Sequence, residues 1–240
     1  MVDEATARTI DPLSARGYDE NYYREHSEAG LDYLGHGFWQ QSYGLMVAEA
    51  TLQRENYAEP IIFDAGCACG SILQGFKESG VFARVIGMDL SEYMVGLGRA
   101  HYGLSAEELI LGSLANIPLP AESVTLVHSA QVLEHIPSDL TRPILDEFTR
   151  ILRPGGRAFL CLDAIRHGET KEMYLGDPTH VNIQPVLYWT EQLQRRGLLF
   201  DIEAYNRFVS SPRGPTEGDP RSFFATYPCW SVWTLIKGRA

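Results

Sequence analysis

The stretch DAGCACG at 64–70 puts an acid and two glycines in one short turn, directly after the apolar EPIIF. A turn that ends a strand and opens a helix presents the helix's unpaired N–H groups and its partial positive end. Glycine there lets a ligand approach the backbone closely. A second acid, Asp89 in GMDLS, falls nineteen residues after Gly70. A carboxylate at that place can accept both hydroxyls of a ribose. The dinucleotide pattern G-x-G-x-x-G is absent, which argues for a nucleoside held without its pyrophosphate. The alternative is a turn whose glycines serve only close packing.

Other residues could move protons. In GDPTHVN (176–182), His180 can take a proton with Asp177 orienting it. Equally, Asp177 and Thr179 can form a turn that His180 caps. Asp163 ends an apolar run, RAFLCLDA, and lies beside the pocket or caps a helix. His135 in LEHIP reads as a residue that seats its loop. His128 reads as a satisfied core residue and His26 as a solvated one. No nucleophile–base–acid triad is visible. Cys67 and Cys69 lie one residue apart, with Cys161 and Cys229 far off; that is poor disulfide geometry and no zinc spacing. Buried, inert thiols are expected, and no metal.

These residues need a frame, and the pattern from 61 onward supplies one. IIFDAG, VFARVIGMDL, ELILGS, SVTLVHSA and RAFLCLDA read as five strands. Between them, SILQGFKESG puts Ile72, Leu73 and Phe76 on one helical face and stops at Gly80. SEYMVGLGRAHYG reads as a helix capped by Ser91, despite two glycines. TRPILDEFTRIL carries an apolar stripe that RPGG ends. Such alternation predicts a doubly wound, mostly parallel sheet with ligands at the strand C-termini. VLYWTEQLQRRG reads as a helix stopped by Gly197, and LFDIEAYNRF and FATYPCWSVWTLIKG as two late antiparallel strands, seven in all. Residues 1–58 read as a helical lid, including an amphipathic helix over QQSYGLMVAEATLQR; residues 59–240 form the main domain.

The bulk properties narrow the partners. The chain has 240 residues, 45% hydrophobic and 21% charged, with a net charge of −11. Such a field repels polyanions, so nucleic acid and anionic membrane are not expected. The early acids and the lack of a long apolar run lead to an expectation of no signal peptide, no membrane span and a cytoplasmic location.

The successive stretches FDAGCACG, GMDLSEYM, GSLANIPLP, SAQVLEHI and ILRPGG resemble, in order and spacing, the motifs of class I S-adenosylmethionine-dependent methyltransferases. The resemblance covers about residues 60–163 and implies their Rossmann-like fold. It implies that S-adenosylmethionine is bound by Asp64, Ala65, Gly66, Cys67 and Gly70 at the methionine and ribose, and by Asp89 at the ribose diol. It places Leu90 and Met94 over the adenine, and Ser113 and Leu114 at its edge. Ser129, Ala130 and Gln131 approach the methionine and sulfonium. Two positions depart from the family: Ala68 stands where Gly is usual, and Ser113 where an acid is usual. Similar Asp-x-Thr-His loops occur in members that act on small molecules or sugars.

Methyl transfer is an in-line displacement, so positioning and exclusion of water do most of the work. The lid aromatics Tyr18, Tyr22, Tyr23 and Trp39 can stabilise a sulfonium through their ring faces. The expected catalytic set is His180, Asp177 and Tyr23. The expected activity is O- or N-methylation of a small molecule, such as a secondary metabolite, amine or sugar, by a monomer or homodimer. Two alternatives stand beside it. One is a same-fold enzyme that cyclises S-adenosylmethionine to azetidine-2-carboxylate and methylthioadenosine. The other is a non-catalytic binding protein.

Overall fold

The computed structural model describes residues 18–28, 33–34, 37–52, 57–174, 179–211 and 230–238, with backbone alone at 25–28, 37–41 and 230. Seven strands, β1 Ile61–Ala65, β2 Arg84–Asp89, β3 Leu109–Leu111, β4 Val124–Ala130, β5 Leu152–Asp163, β6 Leu198–Phe200 and β7 Trp230–Lys237, form one sheet in the order β3-β2-β1-β4-β5-β7-β6. The helices are α1 Glu20–Glu28, α2 Gly37–Thr51, α3 Ser71–Glu78, α4 Glu92–Tyr102, α5 Ser138–Ile151, α6 Val186–Gln194 and α7 Ile202–Val209. None of the described helices is long and apolar enough to cross a membrane.

Strand alternation divides the core into two layers. Phe63 and Ala65 of β1, with Ala158, Leu160 and Leu162 of β5, join α5 and α6 around Phe148 and Trp189. Their sequence neighbours Ile62, Phe159 and Cys161 face the other way, against α2, α3 and α7. This period of two is what buries both faces of a parallel sheet. Pairing is parallel from β3 through β5. The chain runs outward from β1 to β2 and β3, then returns to place β4 on the other side of β1. The crevice at that reversal, beyond the ends of β1 and β4, is where such sheets bind ligands.

Four expectations change. LFDIEAYNRF is a strand only to Phe200; Asp201 then caps α7, its Oδ1 accepting from the Ala204 amide at 3.0 Å. Ala204 and Phe208, four apart, are the buried pair of that helix, so cap and helical period prevail over the apolar run. Of the two late strands, β7 alone opposes β5; β6 is antiparallel to β7 and so parallel to the rest. The helix over residues 37–51 is not amphipathic: residues 43–48 and 50–52 are buried, and Glu49 is exposed. It lies between α3 and α7, and a side chain at Gly44 would meet the Ile72 carbonyl at 2.7 Å. Finally, α5 ends at Ile151, just before RPGG as expected, but the fifth strand starts at Leu152 and not at RAFLCLDA, so RPGG lies within it. It is an irregularity inside β5, where Val124 pairs with Leu152 and Leu126 with Arg157.

Candidate active site

The turn after β1 is built by backbone conformation. Gly66 has φ +73°, and a side chain there would collide with Val132 Cγ2 at 2.4 Å. Gly70 has φ +81° and stands at the N-cap of α3. Ala68 holds φ +48°, a region costly to residues with a Cβ. That conformation aims its amide at Asp89 Oδ2, 2.8 Å away. The other oxygen, Oδ1, accepts from the Ser91 amide at 2.8 Å. Burial pushes the Asp89 carboxyl above its ordinary value, against the pull of the Ser91 and Ala68 amides. Ser91 caps α4 as expected, accepting from the Met94 amide, and its hydroxyl donates to the Tyr18 carbonyl at 2.7 Å.

Asp64, Ala65 and Cys67 are buried behind this turn. Asp64 Oδ1 lies 2.6 Å from His128 Nδ1, and His128 Nε2 lies 3.2 Å from the Tyr43 hydroxyl. His128 is thus the satisfied core residue expected, and it fixes the Asp64 carboxylate. Burial pushes the Cys67 and Cys161 thiols well up, so both stay protonated at neutral pH. Leu90 and Leu114 belong to one apolar cluster, whereas Met94 packs with Tyr23 and Cys69 in another. Ser113 Oγ accepts from the Ala115 amide at 3.3 Å and shapes its loop. Ser129 donates its hydroxyl to the Ala65 carbonyl at 3.1 Å, tying β4 to the end of β1. Ala130 is half-buried, and Gln131 follows it with φ +56°, its amide bonded to the Cys161 carbonyl at 2.8 Å.

The aromatics of α1 and its flanks meet this turn. Tyr18 and Tyr22 are 4.9 Å apart, as are Tyr22 and Tyr23, and Tyr23 lies 5.1 Å from Tyr33. Burial, then the Asp89 charge, pushes the Tyr23 phenol far up, so it offers a protonated hydroxyl and a ring face and no base at neutral pH. The side chain of Trp39 lies outside the described residues.

A second group of side chains gathers beyond β4 and β5. Glu134, His135 and His180 each bring one donor atom within 4.8 Å of the others. His135 Nδ1 lies 2.8 Å from Thr179 Oγ1, and His180 Nδ1 lies 2.8 Å from the Tyr174 carbonyl. That carbonyl can only accept, so Nδ1 of His180 carries a proton. Tyr18 reaches this side as well, 6.3 Å from His135. Asp163 is buried, with its amide bonded to Glu134 Oε1 at 3.3 Å. Asp177 lies outside the described residues. The contact to Thr179 is consistent with the loop-seating role expected of His135, whereas Glu134 has no part in the sequence expectations. The available signal was an adjacent Glu–His pair just past a strand end on the ligand edge.

The expected cofactor can be tested against these residues. Asp64 Oδ2 is buried and accepts no hydrogen bond from any described residue, which suits an amino group. Each Asp89 oxygen already accepts one amide and retains capacity for a ribose hydroxyl. The residues present therefore fit S-adenosylmethionine.

Comparison with known proteins agrees. Residues 63–160 match the family model described as Methyltransferase domain. A malonyl-[acyl-carrier protein] O-methyltransferase of Yersinia pestis is 36% identical over 96 residues, 40% of this chain and 34% of that protein. The chain spans 34% to 45% of the length of the first curated relatives it matches. Among solved structures, the YcgJ protein of Bacillus subtilis superposes with a TM-score of 0.58 at 19% identity, covering 83% of this chain and 99% of that one. A geranyl diphosphate C-methyltransferase of Streptomyces coelicolor, solved with Mg2+, geranyl diphosphate and S-adenosylhomocysteine, gives a TM-score of 0.57 at 15% identity, covering 83% and 78%. At those identities the structures speak for the fold alone. The cradle lies within residues 63–160, the stretch that is a methyltransferase domain, and the fold around it is that of the solved relatives; class I S-adenosylmethionine-dependent methyltransferases are the family this domain is similar to.

Proposed function

We propose that the protein transfers the methyl group of S-adenosylmethionine to a small-molecule acceptor such as a secondary metabolite, an amine or a sugar. One observation carries the reading. The nucleoside cradle after β1 and β2 and the Glu134–His135–His180 group after β4 and β5 occupy the same sheet edge. The bound cofactor supplies a methyl group activated on a sulfonium. The chain's own residues do the rest. Asp89, Asp64 and the turn amides hold and orient. The tyrosines around α1 act as a cap that excludes water and presents ring faces to positive charge. His180 works on the acceptor side, its ring set by the Tyr174 carbonyl, with Asp163 3.8 Å from its Nδ1 and Asp177, three positions earlier in the sequence, as its expected acid partner. The net charge of −11 favours acceptors other than nucleic acid. A monomer or homodimer in the cytoplasm completes the proposal.

The first experiment is incubation of the full-length protein with S-adenosylmethionine alone, then with an acceptor panel, reading nucleoside products by mass spectrometry. Intact cofactor alone and S-adenosylhomocysteine with an acceptor are expected. Methylthioadenosine without any acceptor would show that the cofactor attacks itself, and would overturn methyl transfer. Asp89→Ala is expected to weaken S-adenosylmethionine binding at least tenfold by calorimetry, since a buried pair of hydroxyl contacts is lost. Unchanged affinity would move the ribose elsewhere.

A further inference from the structure

We infer that Glu134, His135 and His180 form a binding site for one divalent transition-metal ion on the acceptor side of the cleft. Their donor atoms lie within 4.8 Å of one another. Metal–ligand distances of about 2.0–2.2 Å bring donors within about 4.4 Å of each other, so small side-chain rotations close the site. Two imidazoles and one carboxylate, with positions left open, are a donor set that suits zinc, iron, cobalt or manganese. Magnesium and calcium prefer oxygen alone.

Three further observations indicate a built site. The imidazoles are oriented from behind, His180 Nδ1 on the Tyr174 carbonyl and His135 Nδ1 on Thr179 Oγ1, both at 2.8 Å. Metal-ligating histidines are oriented in this way by a hydrogen bond at one ring nitrogen while the other meets the ion. The ligand-bearing segments are also locked together. The Glu134 carbonyl accepts from the amides of Val181 at 3.1 Å and Asn182 at 2.9 Å. The Asn182 side chain in turn donates to the Leu133 carbonyl at 3.3 Å and to Thr141 Oγ1 at 2.9 Å. So residues far apart in sequence are held at a fixed spacing without the ion. Lastly, Glu134 is fully buried. In such a low-dielectric place a carboxylate attracts a cation more strongly than it would in water. Asp163 Oδ2, 3.8 Å from His180 Nδ1, adds negative charge behind the ligand.

Ion binding stands on this geometry alone. That the open coordination positions take an oxygen of the acceptor rests on the transferase reading. The test uses the full-length protein, stripped with chelator and titrated by calorimetry with manganese, cobalt, zinc and magnesium chlorides. One transition-metal ion per chain is expected, bound at least tenfold more tightly than magnesium. Visible absorption of the cobalt form should report nitrogen ligation. Glu134→Gln and His180→Gln should each weaken binding by roughly tenfold or more, and Thr179→Val by a smaller factor, as removal of a supporting partner does. Circular dichroism and S-adenosylmethionine titration check that each variant is folded. Should Glu134→Gln not fold, His135→Gln and His180→Gln carry the test. Wild-type binding no tighter than that of the His135→Gln/His180→Gln double variant would overturn the site. Metal binding without S-adenosylmethionine binding would overturn the transferase reading and leave the site standing; the reverse result would overturn the site alone.

Discussion

Ala68 sits in the left-handed region at φ +48° while its amide reaches Asp89 at 2.8 Å. The strain and the contact have one origin, because only that conformation turns the donor toward the acid. Conformations of this kind gather at ligand sites, and Gln131, at φ +56° on the facing loop, is a second instance. Ala68→Gly keeps the amide and removes the Cβ conflict, so a gain of about 1 kcal/mol in stability is expected. Thermal melts should show it, with S-adenosylmethionine affinity unchanged. A loss of stability would mean that the Ala68 methyl, packed beside Tyr23, Cys69 and Met94, matters more than the strain.

At the scale of elements, the two glycines of α4 have opposite meanings. A Cβ on Gly96 would meet nothing within 4 Å, whereas one on Gly98 would meet the Cys69 carbonyl at 2.1 Å. Gly96→Ala should stabilise by about 0.5–1 kcal/mol through helix propensity. Gly98→Ala should push α4 off the turn, cost about 1–3 kcal/mol and weaken cofactor binding; parallel urea melts and titrations compare the two. The segment after β5 has its own clasp. Arg166 holds Glu169 at 2.5 Å, and the Tyr174 hydroxyl gives its single proton to Glu169, with the Ala164 carbonyl its other near acceptor at 2.9 Å. Arg166 first, then Tyr174, keeps the Glu169 carboxyl down at about 2. A depressed carboxylate contributes stability above its unfolded value, and that contribution is lost as pH falls from about 4.5 toward about 2. Glu169→Gln should flatten the acid limb of the stability curve, measured by denaturant midpoints across that window. An unchanged limb would mean that the clasp contributes nothing to folding.

For the whole molecule, the buried line Asp64–His128–Tyr43 joins the end of β1, the middle of β4 and α2. It fastens the N-terminal helix layer to the strand that begins the cradle. His128→Leu removes the hydrogen-bond partner of a buried Asp64 oxygen, and leaving such a group unsatisfied costs about 1–3 kcal/mol. A fall of that size in urea-derived stability is expected. A fall under about 1 kcal/mol, the scale of an exposed pair, would show that the His128 contact contributes little to folding.

Much of this protein can be read locally. β1 to β4, the glycine turn and the Ser91 cap follow from short-range patterns: apolar runs, a period of two, and residues suited to special backbone angles. Asp89 could be named because it sits at a set distance from that turn. The rest depends on partners remote in sequence. The burial of α2 on nearly every side comes from α3 and α7, which its own pattern does not encode. The helix after Asp201 needed a cap and a buried pair that an apolar run conceals. Glu134 and His135 stand forty-five or more positions from His180, and their meeting is made by backbone bonds between two loops. Periodicity and turn chemistry are properties of neighbouring residues, whereas a cluster of donor atoms is a property of distance in space, which only the closed sheet decides.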